Sequence, residues 1–144
     1  NARYGSDAPA RIVRAEFTIT LVTYNPPLLI DNEVYFGALM QRGENPSDVA
    51  GIEFRLSGSD ALLLSQRGGT NTNAIAQRAY GLGAPIRVRL ERNLNDETLT
   101  VYVENIQVGQ SIPFAGRGEA VLPLIYVHAG GVILNITAWE ITLL

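Results

Sequence analysis

Residues 84–109, APIRVRLERNLNDETLTVYVENIQVG, contain two runs in which apolar and polar side chains alternate. Ile86, Val88 and Leu90 mark the first run; Leu99, Val101 and Val103 mark the second. A period of two belongs to strands with one buried face, and the NLNDET between them is turn chemistry. A slip of one residue would send one apolar set to the solvent face. Both sets share a face only if the turn centres on Asn95 and Asp96, which sets Leu90 opposite Val101 and Val88 opposite Val103. On the other face Arg89 then opposes Tyr102, Arg87 opposes Glu104, and Glu91 opposes Thr100.

The same alternation recurs along the chain. Residues 11–23 set Phe17, Ile19 and Leu21 against Glu16, Thr18 and Thr20. Residues 33–41 place Val34, Phe36, Ala38 and Met40 on one face. Residues 50–56, AGIEFRL, turn Ile52, Phe54 and Leu56 inward and Glu53 and Arg55 outward. Residues 61–66 are uniformly apolar, and 67–73, RGGTNTN, read as a polar loop. Short strands are expected at 106–108 and 111–114, and longer ones at 120–128 and 132–144, around Ala129-Gly130-Gly131. Only residues 74–83 leave room for a short helical turn. Closely spaced strands with turn signals and no helical period predict an all-β fold, an antiparallel two-sheet β-sandwich. The opening NARYGSDAPA is polar and broken by Gly5 and Pro9, so residues 1–10 read as a linker or loosely attached arm before a single domain at 11–144.

Composition removes several function classes. A net charge of −3 gives no basic excess for nucleic acid. The absence of cysteine excludes disulfides and thiolate metal sites. His128 is the single histidine, so a two-histidine zinc site is excluded and a Ser-His-Asp triad would rest on it alone. No apolar run reaches the length of a membrane-spanning helix. The chain begins at Asn1 rather than Met, which suggests a processed or excised piece of a longer protein.

Three features together resemble the concanavalin A-like lectin/glucanase superfamily, including laminin-G-like jelly-roll domains. They are the hairpin IRVRLERN…ETLTVYVENIQVG, the pair YFGALMQRG and GIEFRLSG, and the final strand AWEITLL after a glycine turn. The resemblance covers residues 11–144. It implies a jelly roll of two antiparallel sheets, one of them concave, with ligands bound across the concavity or at its rim loops. It also implies an additional N-terminal strand with aromatic residues, which only residues 1–10 or a neighbouring segment could supply. The glucanase branch carries its carboxylates as E-x-D-x-x-E on one strand. The most similar strand here has Glu53, but Arg55 stands where the second carboxylate belongs. Arginine cannot act as nucleophile or base, and glycoside hydrolysis needs two carboxyls.

The expectation is therefore a non-catalytic, lectin-like carbohydrate-binding module of a larger extracellular or cell-surface protein, with a polysaccharide or glycan as partner. The alternatives are an extracytoplasmic sensor or protein-interaction domain of a receptor, and an unconventional glycoside hydrolase. The candidate ligand-binding residues are Tyr102, Arg89, Arg87 and Glu104 on the outward face of the hairpin. Glu53 and Arg55 join them if their strand lies in the same sheet. Tyr102 would stack on a sugar face while arginines and glutamates bond hydroxyls; as plain cross-strand pairs the same residues would form a solvated sheet face. No cofactor is expected. Calcium could use Asp31-Asn32-Glu33 or Asn93/Asn95/Asp96/Glu97, but both compositions are what turns require. The formal sequon Asn135-Ile136-Thr137 falls within a strand and is read as chance.

Overall fold

In the computed structural model, residues 12–23, 35–42, 49–56, 62–68, 71–74, 83–114, 121–128 and 133–143 are described. They form eleven strands in two antiparallel sheets. These are β1 (Ile12–Thr23), β2 (Tyr35–Arg42), β3 (Val49–Leu56), β4 (Leu62–Gly68), β5 (Asn71–Ala74) and β6 (Ile86–Asn93). The chain continues with β7 (Thr98–Val103), β8 (Ile106–Gln107), β9 (Ile112–Pro113), β10 (Val121–His128) and β11 (Ile133–Leu143). One sheet, here called sheet A, runs β11-β1-β6-β7-β8, with β9 also paired to β7; sheet B runs β10-β2-β3-β4-β5.

The hairpin register follows from face parity. Val88 pairs with Val103, Arg89 with Tyr102, Leu90 with Val101 and Glu91 with Thr100, around a turn at residues 94–97. Asn93 organises that turn. Its side-chain carbonyl accepts from the Asn95 and Asp96 N–H groups at 2.9 and 3.2 Å, and its amide donates to Asp96 at 3.0 Å. Val13, Ala15, Phe17, Ile19 and Leu21 of β1 meet Ile86, Val88 and Leu90 on the inner face. Sheet B contributes Phe36, Ala38, Met40, Ala50, Ile52, Phe54 and Leu64 to the same core. Phe36 and Phe54 stack there, with centroids 5.0 Å apart and planes 16° from parallel. β2 faces β6 and β3 faces β7 across the core.

Several expectations are corrected. The polar segment expected to be a loop at 67–73 is mostly strand: β4 continues to Gly68, and β5 pairs Asn73 with Gln66 and Asn71 with Gly68. A polar strand at a sheet edge shows no apolar alternation, so its signal is silent. Glu53 and Arg55 do not share a sheet with the hairpin, because β3 lies in sheet B. The outer side of β3 is shut off at Glu53, which is 4% exposed, with Leu39 of β2 at 3%. Gly51 lies on that same outer side, paired with Leu39; a Cβ there would come within 2.2 Å of the Ala38 carbonyl oxygen, so only glycine fits. The N-terminal arm, the Asp31-Asn32-Glu33 cluster and residues 75–82 lie outside the described residues. β1 and β11 are antiparallel neighbours, so that Val13 sits beside Leu143.

Candidate functional site

Register builds a row of outward side chains straight across sheet A. Glu140 on β11 pairs with Glu16 on β1, Glu16 with Arg89 on β6, Arg89 with Tyr102 on β7, and Tyr102 with Gln107 on β8. A hollow opens along this row. Among its lining residues are Glu140, Glu16, Arg87, Arg89, Tyr102 and Asn105. Its floor exists because β11 bulges: Glu16 pairs with Glu140 and Thr18 with Thr137, so two residues, Ala138 and Trp139, oppose Phe17 alone. Ala138 takes a positive φ of 53° and offers only a methyl group to the hollow, while Trp139 stacks on Phe17 at 5.2 Å.

Arg89 is the centre of the site. Its guanidinium carbon lies 4.1 Å from the centroid of the Tyr102 ring, a cation–π contact. Nη1 donates to Asn105 Oδ1 at 3.3 Å and lies 3.9 Å from Glu16. Nε is 3.1 Å from Glu91 Oε1, close enough for an ion pair though not aligned for a hydrogen bond. The same Glu91 oxygen accepts from Arg14 Nε at 2.9 Å and lies 2.8 Å from Arg14 Nη2. Two arginines thus share one carboxylate. Glu16, at the edge of reach of Arg89, is paired across the ladder with Glu140, a placement that like charges disfavour.

Of the six residues expected to bind ligand, the structure gathers Tyr102, Arg89 and Arg87 at the hollow. Glu104 stands beside it in another role. It occupies the first corner of a two-residue turn between β7 and β8, where Glu104 and Asn105 have φ of 52° and 63°. Both angles positive is the hairpin-compatible geometry of a type I′ turn. The Glu104 carboxylate accepts the Arg87 backbone N–H at 2.7 Å, and its own N–H donates to the Arg87 carbonyl at 2.9 Å. The expected side-chain pairing of Arg87 with Glu104 is therefore replaced by a backbone clasp. Glu53 and Arg55 belong to the other sheet.

Reasoning from the sequence missed Glu16, Asn105 and Glu140 as site residues. Glu16 was legible as outward, but nothing in the pattern tells that β1 lies beside β6. It also missed Arg92, which continues the inward parity of Ile86, Val88 and Leu90 and is 1% exposed, its guanidinium 4.9 Å from the Phe114 centroid. Within the Asn93/Asn95/Asp96/Glu97 cluster, the Asn93 side chain and the Asp96 carboxylate are bonded to the turn itself. Among the described residues no group of three or more acidic, histidine or cysteine side chains is arranged to hold a metal.

No protein-family model and no curated protein sequence matches the chain. Solved structures do. A functionally unknown protein from Saccharomyces cerevisiae aligns with TM-score 0.67 at 12% identity, over 93% of this chain and 70% of its own. The carbohydrate-binding module CBM66 from Bacillus subtilis aligns with TM-score 0.54 at 8% identity, over 94% of this chain and 77% of the module. The galectin LEC-6 of Caenorhabditis elegans aligns with TM-score 0.53 at 12% identity, over 92% and 84%. The fold is a two-sheet antiparallel jelly-roll sandwich. At these identities the likeness is one of fold alone.

Proposed function

We propose that the protein is a non-catalytic carbohydrate-binding module whose glycan seat is the hollow on the outer face of sheet A. The observation that carries this reading is the row Glu140, Glu16, Arg89, Tyr102 laid across four strands. Two carboxylates offer acceptors to sugar hydroxyls, the guanidinium offers directed donors, and the aromatic ring offers an apolar surface. Arg89 already covers one face of Tyr102. A sugar would therefore meet the opposite face of the ring or its edge, and arginine and tyrosine act as one stacked unit. The like-charged Glu16 and Glu140 lose repulsion when a hydroxyl donates between them. The fold shared with a carbohydrate-binding module and a galectin supports the ligand class. With such a ligand the module would act outside the cell, as one domain of a larger protein.

The test is retention on a panel of insoluble polysaccharides together with a glycan array. Wild type should bind, with or without a chelator. Tyr102→Ala should abolish retention while the far-UV spectrum stays unchanged, because its outward side chain leaves no cavity in the core. Arg89→Lys should weaken binding about tenfold, since the planar fork is lost. A wild-type protein that binds no glycan, or a Tyr102→Ala variant that binds as well as wild type, would sink the proposal.

A further inference from the structure

Two arginines beside an aromatic ring would suit an acidic sugar, but the charges around the hollow are set against one. Arg89 is already committed: Nε lies 3.1 Å from Glu91 Oε1, Nη1 donates to Asn105 Oδ1 at 3.3 Å, and the planar group packs on the Tyr102 ring. Arg87 carries the other guanidinium at the hollow, and the Glu104 carboxylate is clasped to its backbone N–H at 2.7 Å. Glu140 differs. It has no cationic partner among the described residues, and Glu16, paired with it across the ladder, is met by Arg89 only at 3.9 Å.

Counted with the groups bonded to it, the hollow sets Glu16, Glu91, Glu104 and Glu140 against Arg14, Arg87 and Arg89, so negative charge is in excess by one. The excess lies at the Glu140–Glu16 end of the row. A concave site lined by one sign of charge concentrates the field it exerts on a ligand.

Resting on the reading of the hollow as a glycan seat, we propose that it selects its ligand by charge: Glu16 and Glu140 admit neutral sugars and turn away acidic ones, whether uronic or sulfated. A neutral hydroxyl donates to either carboxylate and comes between the pair. A ligand carboxylate or sulfate offers only acceptors. It finds no donor on Glu16 or Glu140 and brings a third negative charge beside two that already repel. Arg89 does not offset that cost, because turning toward a new anion would break its contacts with Glu91, Asn105 and Tyr102. Glu16 and Glu140 are thus the specificity-determining residues, and Arg89 and Tyr102 the general sugar contacts.

The test uses the full chain and a neutral polysaccharide that wild type retains, beside the same polymer after oxidation of its primary hydroxyls to carboxylates. Oxidation should weaken binding about tenfold at low salt, and added salt should restore part of the loss, because screening relieves repulsion. A seat that bound anions through its arginines would show the opposite salt slope. Glu140→Gln should raise the ratio of acidic to neutral binding about tenfold, and adding Glu16→Gln should raise it further. Asp96→Asn removes the same charge from the β6–β7 turn and should leave the ratio as in wild type. If Glu140→Gln fails to fold, Glu16→Gln alone carries the comparison. A wild type that prefers the oxidised polymer, or that holds acidic glycans through Arg87 and loses them on Arg87→Gln, overturns the charge selection while leaving the glycan seat standing. An unchanged ratio in both glutamate variants does the same. A wild type that retains no glycan of either kind overturns both readings.

Discussion

Phe54→Ala probes the centre of the sandwich. Phe54 is fully buried on the inner face of β3, stacked on Phe36 and packed in the core that both sheets share. Removing its ring withdraws on the order of 150 Å² of apolar surface from burial, about 4 kcal/mol at about 25 cal/mol/Å². A well-packed aromatic pair adds about 0.5–1.5 kcal/mol, and partial collapse of the cavity subtracts from the total. The expected loss is therefore about 3–5 kcal/mol, a large share of the stability of an ordinary domain. Urea denaturation followed by Trp139 fluorescence and by far-UV circular dichroism should report the same shift in midpoint with an unchanged slope. Phe36→Leu, alone and combined with Phe54→Ala, should give a coupling of about 0.5–1.5 kcal/mol. A loss below about 1 kcal/mol would refute the face assignment of β3, and zero coupling would refute the stack.

Glu97 holds a positive φ of 52° in the β6–β7 turn, so Glu97→Gly should stabilise by about 0.5 kcal/mol, strain relief outweighing the added unfolded-state entropy; a clear loss in thermal midpoint would count against that backbone assignment. Gly51→Ala drives a methyl group into the Ala38 carbonyl and should cost about 2 kcal/mol or more through displaced backbone, measured by denaturant titration; a neutral result would mean β2 and β3 are not so closely apposed. Glu91→Gln removes the carboxylate shared by Arg14 and Arg89. Because these side chains are 16–32% exposed, it should cost about 0.5–1 kcal/mol, less in high salt, and a salt-independent loss would argue that packing rather than charge is responsible.

What the sequence disclosed was set by how each feature is encoded. Face parity is written in side chains, so the hairpin register from Val88–Val103 to Glu91–Thr100 was readable residue by residue. Strand neighbours are chosen by backbone groups that every residue shares. Hence the position of β3 in sheet B, and of β1 between β6 and β11, left no mark in the alternation. The candidate site inherits this division. Arg89 beside Tyr102 was legible, whereas the approach of Glu16 and Glu140 depends on strands far apart in the chain and on a bulge at Ala138. Glu104 was misjudged because its carboxylate serves a backbone N–H in a tight turn lacking the usual Asn-Gly signature. Arg92 obeyed parity, but a charge at an inward position contradicts the binary pattern that makes parity visible.

The pairing of Val13 with Leu143 fixes how this domain bears a mechanical load. A pull applied at Val13 and Leu143 enters at adjacent positions of neighbouring strands. The ladder between β1 and β11 is then loaded one rung at a time, like a zipper, instead of being sheared along its whole length. Leu143 leaves Val13 first, then Thr142 leaves Arg14, and the peel proceeds until Trp139 lifts off Phe17. Pulled at these two points, the domain is expected to yield at low force from the rim of sheet A, with the hairpin still folded; force spectroscopy through Val13 and Leu143 would read this, and a single high-force rupture would refute it.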